Sequence, residues 1–495
     1  MEAILLGIDI GTTNVKALLA TSSGAVLHQV TVAYPTQLTE DGGAEQSPMD
    51  WWRGVVVATR TALEESGVPP KSIQGIGVSG QGCAVTLIDS FGRVIRPAII
   101  WMDTRSQAQS EWLEEQLGTK IRQISGKAPA PYNAEPSLLW LKTHELSNFE
   151  RAAVSLTSTA FVTFKLTGKI VANHSDASIL LAYDLSGRCW SQELISSFGL
   201  STDLFPPLAE SCEVVGGLQA EAAAQLSLPE GIPVVAGGED TSSAALALGV
   251  VEAGQVALSL GTAGTIYAVS DRPLTHPDLL TFIHVLPNAY LVGGSTSAMG
   301  AAIRWATELL NLSDTEALET LAAQAPVGSS GLIFLPYLSG ELQPINDGKA
   351  KGVFFGLSQA TRQREVARAV LEGTVYALAH NLRLIQSMGL KVCEIKATGG
   401  PARSALWCQI AADVMGIEVK VCTDLGAPLG NALLAAEGVG LIKCAASTAA
   451  QLSRVERVYY PNSTNTRLYR GLMEIYRGLY PALRVSFSQL KEWAC

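Results

Sequence analysis

Near the start of the chain, Gly7-Ile8-Asp9-Ile10-Gly11-Thr12-Thr13-Asn14-Val15-Lys16 sets a carboxylate at the end of an apolar run and follows it with a turn of small, hydroxylated residues. A carboxylate in that place is costly to bury unpaired, so a cation or hydrogen-bond donors should meet Asp9. The turn at Gly11, Thr12 and Thr13 offers backbone N–H groups and two hydroxyls, all suited to phosphate oxygens. Gly261-Thr262-Ala263-Gly264 repeats the Gly-Thr turn between two further apolar runs. Two such turns can grip a polyphosphate from opposite sides, where one alone reads as an ordinary hairpin.

A second carboxylate pair ends the run Val234-Val235-Ala236-Gly237-Gly238-Glu239-Asp240-Thr241, just before a Ser/Ala-rich helical stretch. A residue there points from the edge of a sheet toward a ligand cleft. Placed beside a hydroxyl, one of these carboxylates can accept its proton during phosphoryl transfer. The alternative is structural, with Asp240 as helix N-cap and Glu239 in solvent. The residue types alone leave both open. Thr398-Gly399-Gly400-Pro401-Ala402-Arg403-Ser404 is a third Gly-rich turn, between a strand and the helical Trp407–Met415. It can admit a base or phosphate at a helix start, or serve as a plain strand-to-helix loop.

Two common nucleotide motifs are excluded. Gly75-Ile76-Gly77-Val78-Ser79-Gly80 matches G-x-G-x-x-G, but β-rich Ala84-Val85-Thr86-Leu87-Ile88 follows where a dinucleotide site needs a helix. No G-x-x-x-x-G-K-[ST] loop occurs.

The elements that must carry these residues read as strands at Ile4–Ile10, Val15–Ala20, Ala25–Tyr34, Ile73–Val78 and Ala84–Asp89, with a helix over Met49–Glu65. Strands recur at Gln255–Leu260, Thr265–Val269, Glu394–Thr398 and Glu418–Cys422, with a long helix over Glu365–Met388. One β-turn-β module therefore occurs near each end of the molecule, with a boundary near residue 250. A chain of 495 residues exceeds one ordinary core, so two copies of one α/β unit facing a cleft are expected. Formal net charge is −10, and no basic run marks a nucleic-acid or anionic-membrane surface. Eight cysteines without a C-x-x-C pair, and dispersed histidines, argue for a reducing compartment and against a zinc site. No apolar run reaches membrane-span length, and the N-terminus reads as a strand rather than a signal peptide, so a cytoplasmic location is expected.

Several segments together resemble the FGGY carbohydrate kinases, from residue 4 to about residue 482. Gly352-Val353-Phe354-Phe355-Gly356-Leu357, with Glu365-Val366 and Ala369-Val370-Leu371-Glu372 after it, has the spacing of that family's C-terminal signature. Phe334–Glu341, Trp101-Met102-Asp103-Thr104-Arg105 and Leu138-Leu139-Trp140-Leu141-Lys142 are similar to further family elements. Ser175-Asp176-Ala177-Ser178 and Cys189-Trp190-Ser191 resemble the xylulose kinases of the family in particular.

The resemblance implies two ribonuclease H-like domains of the actin/hexokinase type, at residues 1–249 and 250–482, with a tail at 483–495. It implies ATP and Mg²⁺ as cofactors and a small sugar as substrate, most readily D-xylulose. Asp240 would be the general base, and Asp9 with Asp240 would hold the metal. Gly11, Thr12, Thr13, Lys16, Gly261, Thr262 and Gly300 would meet the phosphates, while Gly399, Gly400, Ala402 and Asn431 would border the adenosine. Gln81, Gly82, Cys83, Trp101, Asp103, Arg105, Asp240 and Thr241 would surround the sugar. A sugar and ATP are the expected partners, with no nucleic acid and no membrane; a homodimer stays open.

The sequence departs from the xylulose kinases at the sugar. Gly82-Cys83 stands where a Met-His pair is usual, and Thr241 where an Asn is. Ser137 replaces the lysine of the N-terminal signature, and Leu342 the arginine of a Gly-Glu-Arg element. A roomier pocket with fewer hydrogen-bond donors is the expectation. Gluconate, erythritol or glycerol is the alternative acceptor, and a non-catalytic ATP and sugar sensor the reading from another class. The aromatic tail, Tyr459 to Tyr480, is expected to pack against the second domain.

Overall fold

The run Ile4–Ile10 (β1) is buried at every position, as a central strand must be. The computed structural model describes residues 2–297 and 299–490. Asn14–Thr21 (β2) returns antiparallel to β1, Val26–Ala33 (β3) pairs with β2, and Ile73–Gly80 (β4) lies parallel on the other side of β1. Val214–Gly217 (β5) and Pro233–Val235 (β6) complete the order β5-β6-β4-β1-β2-β3, and the short Gly238–Glu239 (β7) pairs with β4.

The second sheet repeats this plan. Gln255–Leu260 (β8), Gly264–Ser270 (β9), Leu280–Ile283 (β10), Tyr290–Thr296 (β11), Glu394–Gly399 (β12), Val419–Cys422 (β13) and Val455–Tyr459 (β14) take the order β10-β11-β9-β8-β12-β13-β14. Strand for strand, β3-β2-β1-β4-β6-β5 corresponds to β11-β9-β8-β12-β13-β14, with the same parallel and antiparallel senses. The expected duplication is thus present in full, including strands that no motif marked.

Helices cover the sheets. Pro48–Ser66 (α1) starts with proline in its first turn and stops at Gly67, whose φ of 68° only glycine adopts freely. Its Trp51, Val55 and Thr59 are all fully buried, as the helical spacing predicts. Gln107–Ser125 (α2), Ala134–His144 (α3) and Ser158–Thr167 (α4) complete the first lobe, and Asp240–Ala247 (α5) leaves it. Gly300–Leu309 (α6), Gln363–Ser387 (α7), Ala405–Met415 (α8), Gly426–Gly438 (α9) and Ser463–Leu490 (α10) belong to the second half of the chain.

The last strand of the first sheet ends at Glu239 and the second sheet begins at Gln255, but not every helix keeps to the nearer sheet in sequence. Helix α9 lies against the first sheet, so close that a Cβ on Gly77 would stand 2.1 Å from the Asn431 carbonyl oxygen. That contact explains a glycine of the false dinucleotide motif: all of Gly75–Gly80 lies within β4, and Gly77 admits a helix backbone. The tail also differs from expectation. Helix α10 runs unbroken past residue 482 to Leu490 and buries Phe487, so no boundary falls there; residues 491–495 lie outside the described part. Its Tyr469 and Tyr476 are buried in the second core, as expected. No helix among the described residues is long and apolar enough to cross a membrane.

Candidate active site

Asp9 ends β1 between two strands that explain its partners. The sheet register sets Lys16 opposite it on β2 and Ser79 opposite it on β4. Ser79 Oγ donates to Asp9 Oδ1 at 2.9 Å, and Lys16 Nζ lies 3.9 Å from Oδ2. Burial pushes the Asp9 carboxyl up to about 6, with Asp240 adding to the rise and Lys16 and Ser79 opposing it. The carboxylates of Asp9 and Asp240 therefore share one electrostatic neighbourhood, and a cation beside Asp9 would offset its rise.

Strand pairing also brings Asp240 here. Gly238 pairs with Ser79 and Glu239 with Gly80, so the chain leaves β7 beside the end of β4 and turns into α5. The structural alternative for this pair is resolved with the roles exchanged. Glu239 is the N-cap: it is buried, and its Oε2 accepts from Ser242 N at 2.9 Å. Asp240 is the first helical residue, half-buried, and is free of the cap. Thr241 Oγ1 donates to Asp240 Oδ1 at 3.1 Å, which leaves Oδ2 for another partner. Burial first, and Glu239 second, hold the Asp240 carboxyl well above the usual carboxylate range. Asp176 stands behind it, fully buried, its carboxyl raised to about 7 by burial and by Asp240.

The two Gly-Thr turns are open at their tips. Gly11 N donates to the Asn14 carbonyl at 3.0 Å and Gly261 N to the Ala263 carbonyl at 2.9 Å, while Thr13 and Thr262 are exposed. Tyr34 supports the first turn by donating its hydroxyl to the Gly11 carbonyl. Helix α6 supports the second. Gly300 N donates to the Gly261 carbonyl at 3.1 Å, and Met299 N and Ala301 N donate to the Thr262 carbonyl. Gly300 thus braces the turn with an N–H already in use. Arg304, the one basic residue of α6, reaches Thr262 Oγ1 at 3.4 Å and is exposed. At Gly399 φ is 98° and a Cβ would stand 1.9 Å from the Leu260 carbonyl oxygen, so glycine is required; Gly400 beside it faces open space and Ala402 is buried.

Three expected positions are engaged inside the protein. Asn431 borders no open surface: it is fully buried, and its Nδ2 donates to the Ile8 carbonyl and to Ser79 Oγ, both at 2.7 Å. It buttresses the Asp9 strand from behind. Asp103 and Arg105 are engaged with each other and with the lobe. Asp103 Oδ2 accepts from Ala44 N at 2.9 Å and from Arg105, which also pairs with Glu45 at 2.6 Å and lies over the Trp140 ring. Of Trp101, Asp103 and Arg105, Trp101 alone is exposed, and its indole donates to Thr12 Oγ1 at 3.0 Å. Gln81 donates to Gln46 Oε1 at 2.8 Å and keeps a buried Oε1 without a partner among the described residues. Cys83, buried at a φ of 57°, follows Gly82 at the inner end of this wall.

Sequence reading missed Tyr34, Ser79, Asp176, Glu239 as cap, and Arg304. Asp176 lay in the quoted Ser175–Ser178 segment without a role, and Arg304 left a signal as a lone cation four residues after Gly300. Among the described residues no group of three His, Cys, Asp or Glu side chains is placed to hold a metal. A cavity of about 420 Å³ between α7, α8 and α10, lined by Arg383, Gln386, Arg470 and Glu474 among others, contains none of these residues.

A family model described as the N-terminal domain of the FGGY family of carbohydrate kinases matches residues 4–247, and one for the C-terminal domain matches residues 256–438. A xylulose kinase of Escherichia coli strain K12 is 34% identical over 486 residues, covering 97% of this chain and 99% of that one. The crystal structure of a xylulose kinase from Rhodospirillum rubrum superposes with a TM-score of 0.92 at 30% identity, covering 98% of this chain and all of that one (100%). A gluconate kinase from Lactobacillus acidophilus superposes with a TM-score of 0.94 at 26% identity, over 99% and 100% of the two chains.

Proposed function

Because this chain belongs to the FGGY family of carbohydrate kinases, an ATP-dependent group, we propose that it transfers the terminal phosphoryl group of ATP to a hydroxyl of D-xylulose, giving D-xylulose 5-phosphate and ADP. The observation that carries this reading is the convergence of Asp9, near the end of β1, and Asp240, at the start of α5, with the free edge of Asp240 left open by Thr241. In the transfer, Asp240 accepts the proton of the sugar hydroxyl through the oxygen that Thr241 does not hold. The hydroxyl oxygen attacks the terminal phosphorus as the bond to ADP breaks. A carboxylate raised by burial is a better proton acceptor near neutral pH than an exposed one. The turns at Gly11–Thr13 and Gly261-Thr262, with Lys16 and Arg304, bind and orient the phosphates. Gly399 and Gly400 border the adenosine, and the walls of the two lobes exclude the water that would compete as acceptor.

Mg²⁺ fits these residues. Burial raises the carboxyls of both Asp9 and Asp240, the charge of Asp240 adds to the rise at Asp9, and Mg²⁺ needs only one or two carboxylates beside phosphates. Asp9 and Asp240 would hold it, and it would supply positive charge to offset that of the phosphates. Similarity to a chain named xylulose kinase over nearly the whole length supports D-xylulose. The likeness to a gluconate kinase makes an aldonic acid the second reading. The test is ADP release with D-xylulose, D-ribulose, L-xylulose, gluconate, erythritol and glycerol at matched concentrations. D-xylulose at sugar-free background, with turnover of another compound, would reject the substrate and keep the kinase.

A further inference from the structure

The Gly11–Thr13 turn rests on a buried side chain that no motif marks. Gln46, 1% exposed, ends the short strand Ala44–Gln46, which pairs antiparallel with Ala98–Ile99. Its Nε2 donates to the Thr12 carbonyl and to Thr36 Oγ1, both at 2.7 Å. Its Oε1 accepts from the Trp51 indole and from Gln81 Nε2, both at 2.8 Å. A primary amide offers two N–H donors and an oxygen with two lone pairs, so every capacity of Gln46 is in use. The two donors at Oε1 also fix which way the amide faces. Nε2 is thereby held toward Thr12.

That hold has a directional consequence. In a planar trans peptide the C=O of one residue and the N–H of the next point in opposite directions. Gln46 draws the Thr12 carbonyl inward, so the Thr13 N–H is turned outward, at the exposed tip of the turn. The other two carbonyls are held as well, Gly11 by the Tyr34 hydroxyl and Thr13 by the Tyr34 N–H at 3.2 Å. The turn therefore presents N–H groups rather than carbonyls, as an anion site requires. Trp101 adds a second grip, its indole donating to Thr12 Oγ1 at 3.0 Å. The hydroxyl accepts there and keeps its own proton to donate. Both grips share one support. Asp103, bound to Ala44 N, and Arg105, paired with Glu45, fasten the segment that carries Trp101 to the strand that carries Gln46.

We propose that Gln46 and Trp101 are positioning residues of the phosphoryl-donor site, which set the affinity for Mg-ATP by aiming the Thr13 N–H and the Thr12 hydroxyl at its phosphates. This rests on the reading of the Gly11–Thr13 turn as a phosphate site and goes beyond it, since it gives a nucleotide role to a segment expected to face the sugar. The ion pairs of Asp103 and Arg105 gain a function as well. Their side chains are 2% and 10% exposed, and they hold the platform from which Thr12 is gripped. The two grips differ in depth. Gln46 is sealed in the lobe and acts through the Thr12 backbone, while Trp101 is 40% exposed and acts through the Thr12 side chain.

Calorimetric binding of Mg-ATP and of adenosine, which has no phosphates, tests this on the full-length chain. Gln46→Met removes the donor without adding charge, and Gln46→Glu keeps both accepted bonds while losing both donated ones. Each should weaken Mg-ATP about tenfold and leave adenosine unchanged. Trp101→Phe and Thr12→Val should each weaken Mg-ATP about threefold, and the double variant should be no weaker than the weaker single one. In ADP release with D-xylulose the KM for ATP should rise while the acceptor's KM stays within about twofold. Unchanged Mg-ATP binding in a folded Gln46 variant, equal losses for ATP and adenosine, or additive losses at Trp101 and Thr12 would overturn the proposal. So would a Trp101→Phe variant that raises the acceptor's KM alone. If neither Gln46 variant folds, the Trp101 and Thr12 variants decide. Wild type that binds no Mg-ATP would reject the kinase reading together with this one, whereas wild-type binding that no variant weakens rejects this one alone.

Discussion

Asn431 Nδ2 donates to Ser79 Oγ at 2.7 Å across a sequence separation of 352 residues, and that hydroxyl donates onward to Asp9 Oδ1 at 2.9 Å. A helix from the second half of the chain thereby orients a carboxylate of the first strand. Lobe packing and site geometry are coupled at this point.

Replacing Asn431 by Ala should be felt in both. Its bonds to Ser79 and to the Ile8 carbonyl are buried, so each group left unpaired costs about 1–3 kcal/mol. Urea unfolding should show that loss, and the KM for Mg-ATP should rise because Asp9 is no longer held. A stable variant with an unchanged KM would mean that the chain from Asn431 to Asp9 orients nothing.

Asp9 should be a residue whose ionisation opposes folding. Its carboxyl is raised from 3.8 to about 6, so between those values the folded state binds more protons than the unfolded one. Stability then falls as pH rises through that window, by about 3 kcal/mol in total. Asp9→Asn removes the term. Its melting temperature should exceed wild type at pH 7 and converge with it near pH 4, while turnover is lost. Wild-type activity should fall as pH drops through about 6. A variant less stable than wild type at pH 7 would contradict the burial argument.

How much of this could be read from the sequence depended on range. Asp9 with Gly11–Thr13, and Gly261 with Thr262, were legible because a strand end and its turn are contiguous in the chain. The paired modules followed from the same local pattern, and the second sheet reproduced the strand order of the first. Glu239 and Asp240 were legible as a pair but not by role. Which of the two caps α5 depends on β7 pairing with β4, a contact some 160 residues distant in sequence. Asn431 was found as a candidate, but its buried partners were not legible, because nothing local says that α9 crosses to the first sheet. Asp103 and Arg105 were legible as a motif, but their partners Ala44, Glu45 and Trp140 lie on other segments.

Arg304→Ala isolates the phosphate side. The residue is exposed and touches only Thr262 Oγ1 through a long bond, so thermal stability should be nearly unchanged. The KM for ATP should rise by about tenfold, as expected for one lost charge-assisted contact, and the effect should weaken at high salt. An unchanged KM would place Arg304 outside the nucleotide site.

In the proposed transfer Asp240 takes the proton of the acceptor hydroxyl while Glu239 caps α5. The direct measurement is steady-state ADP release with D-xylulose by wild type and Asp240→Asn, alongside calorimetric binding of ATP to both. Asparagine keeps the hydrogen bond from Thr241 and removes the base, so kcat should fall by at least about a hundredfold with ATP affinity little changed. A variant that keeps more than half of the wild-type turnover would contradict the account.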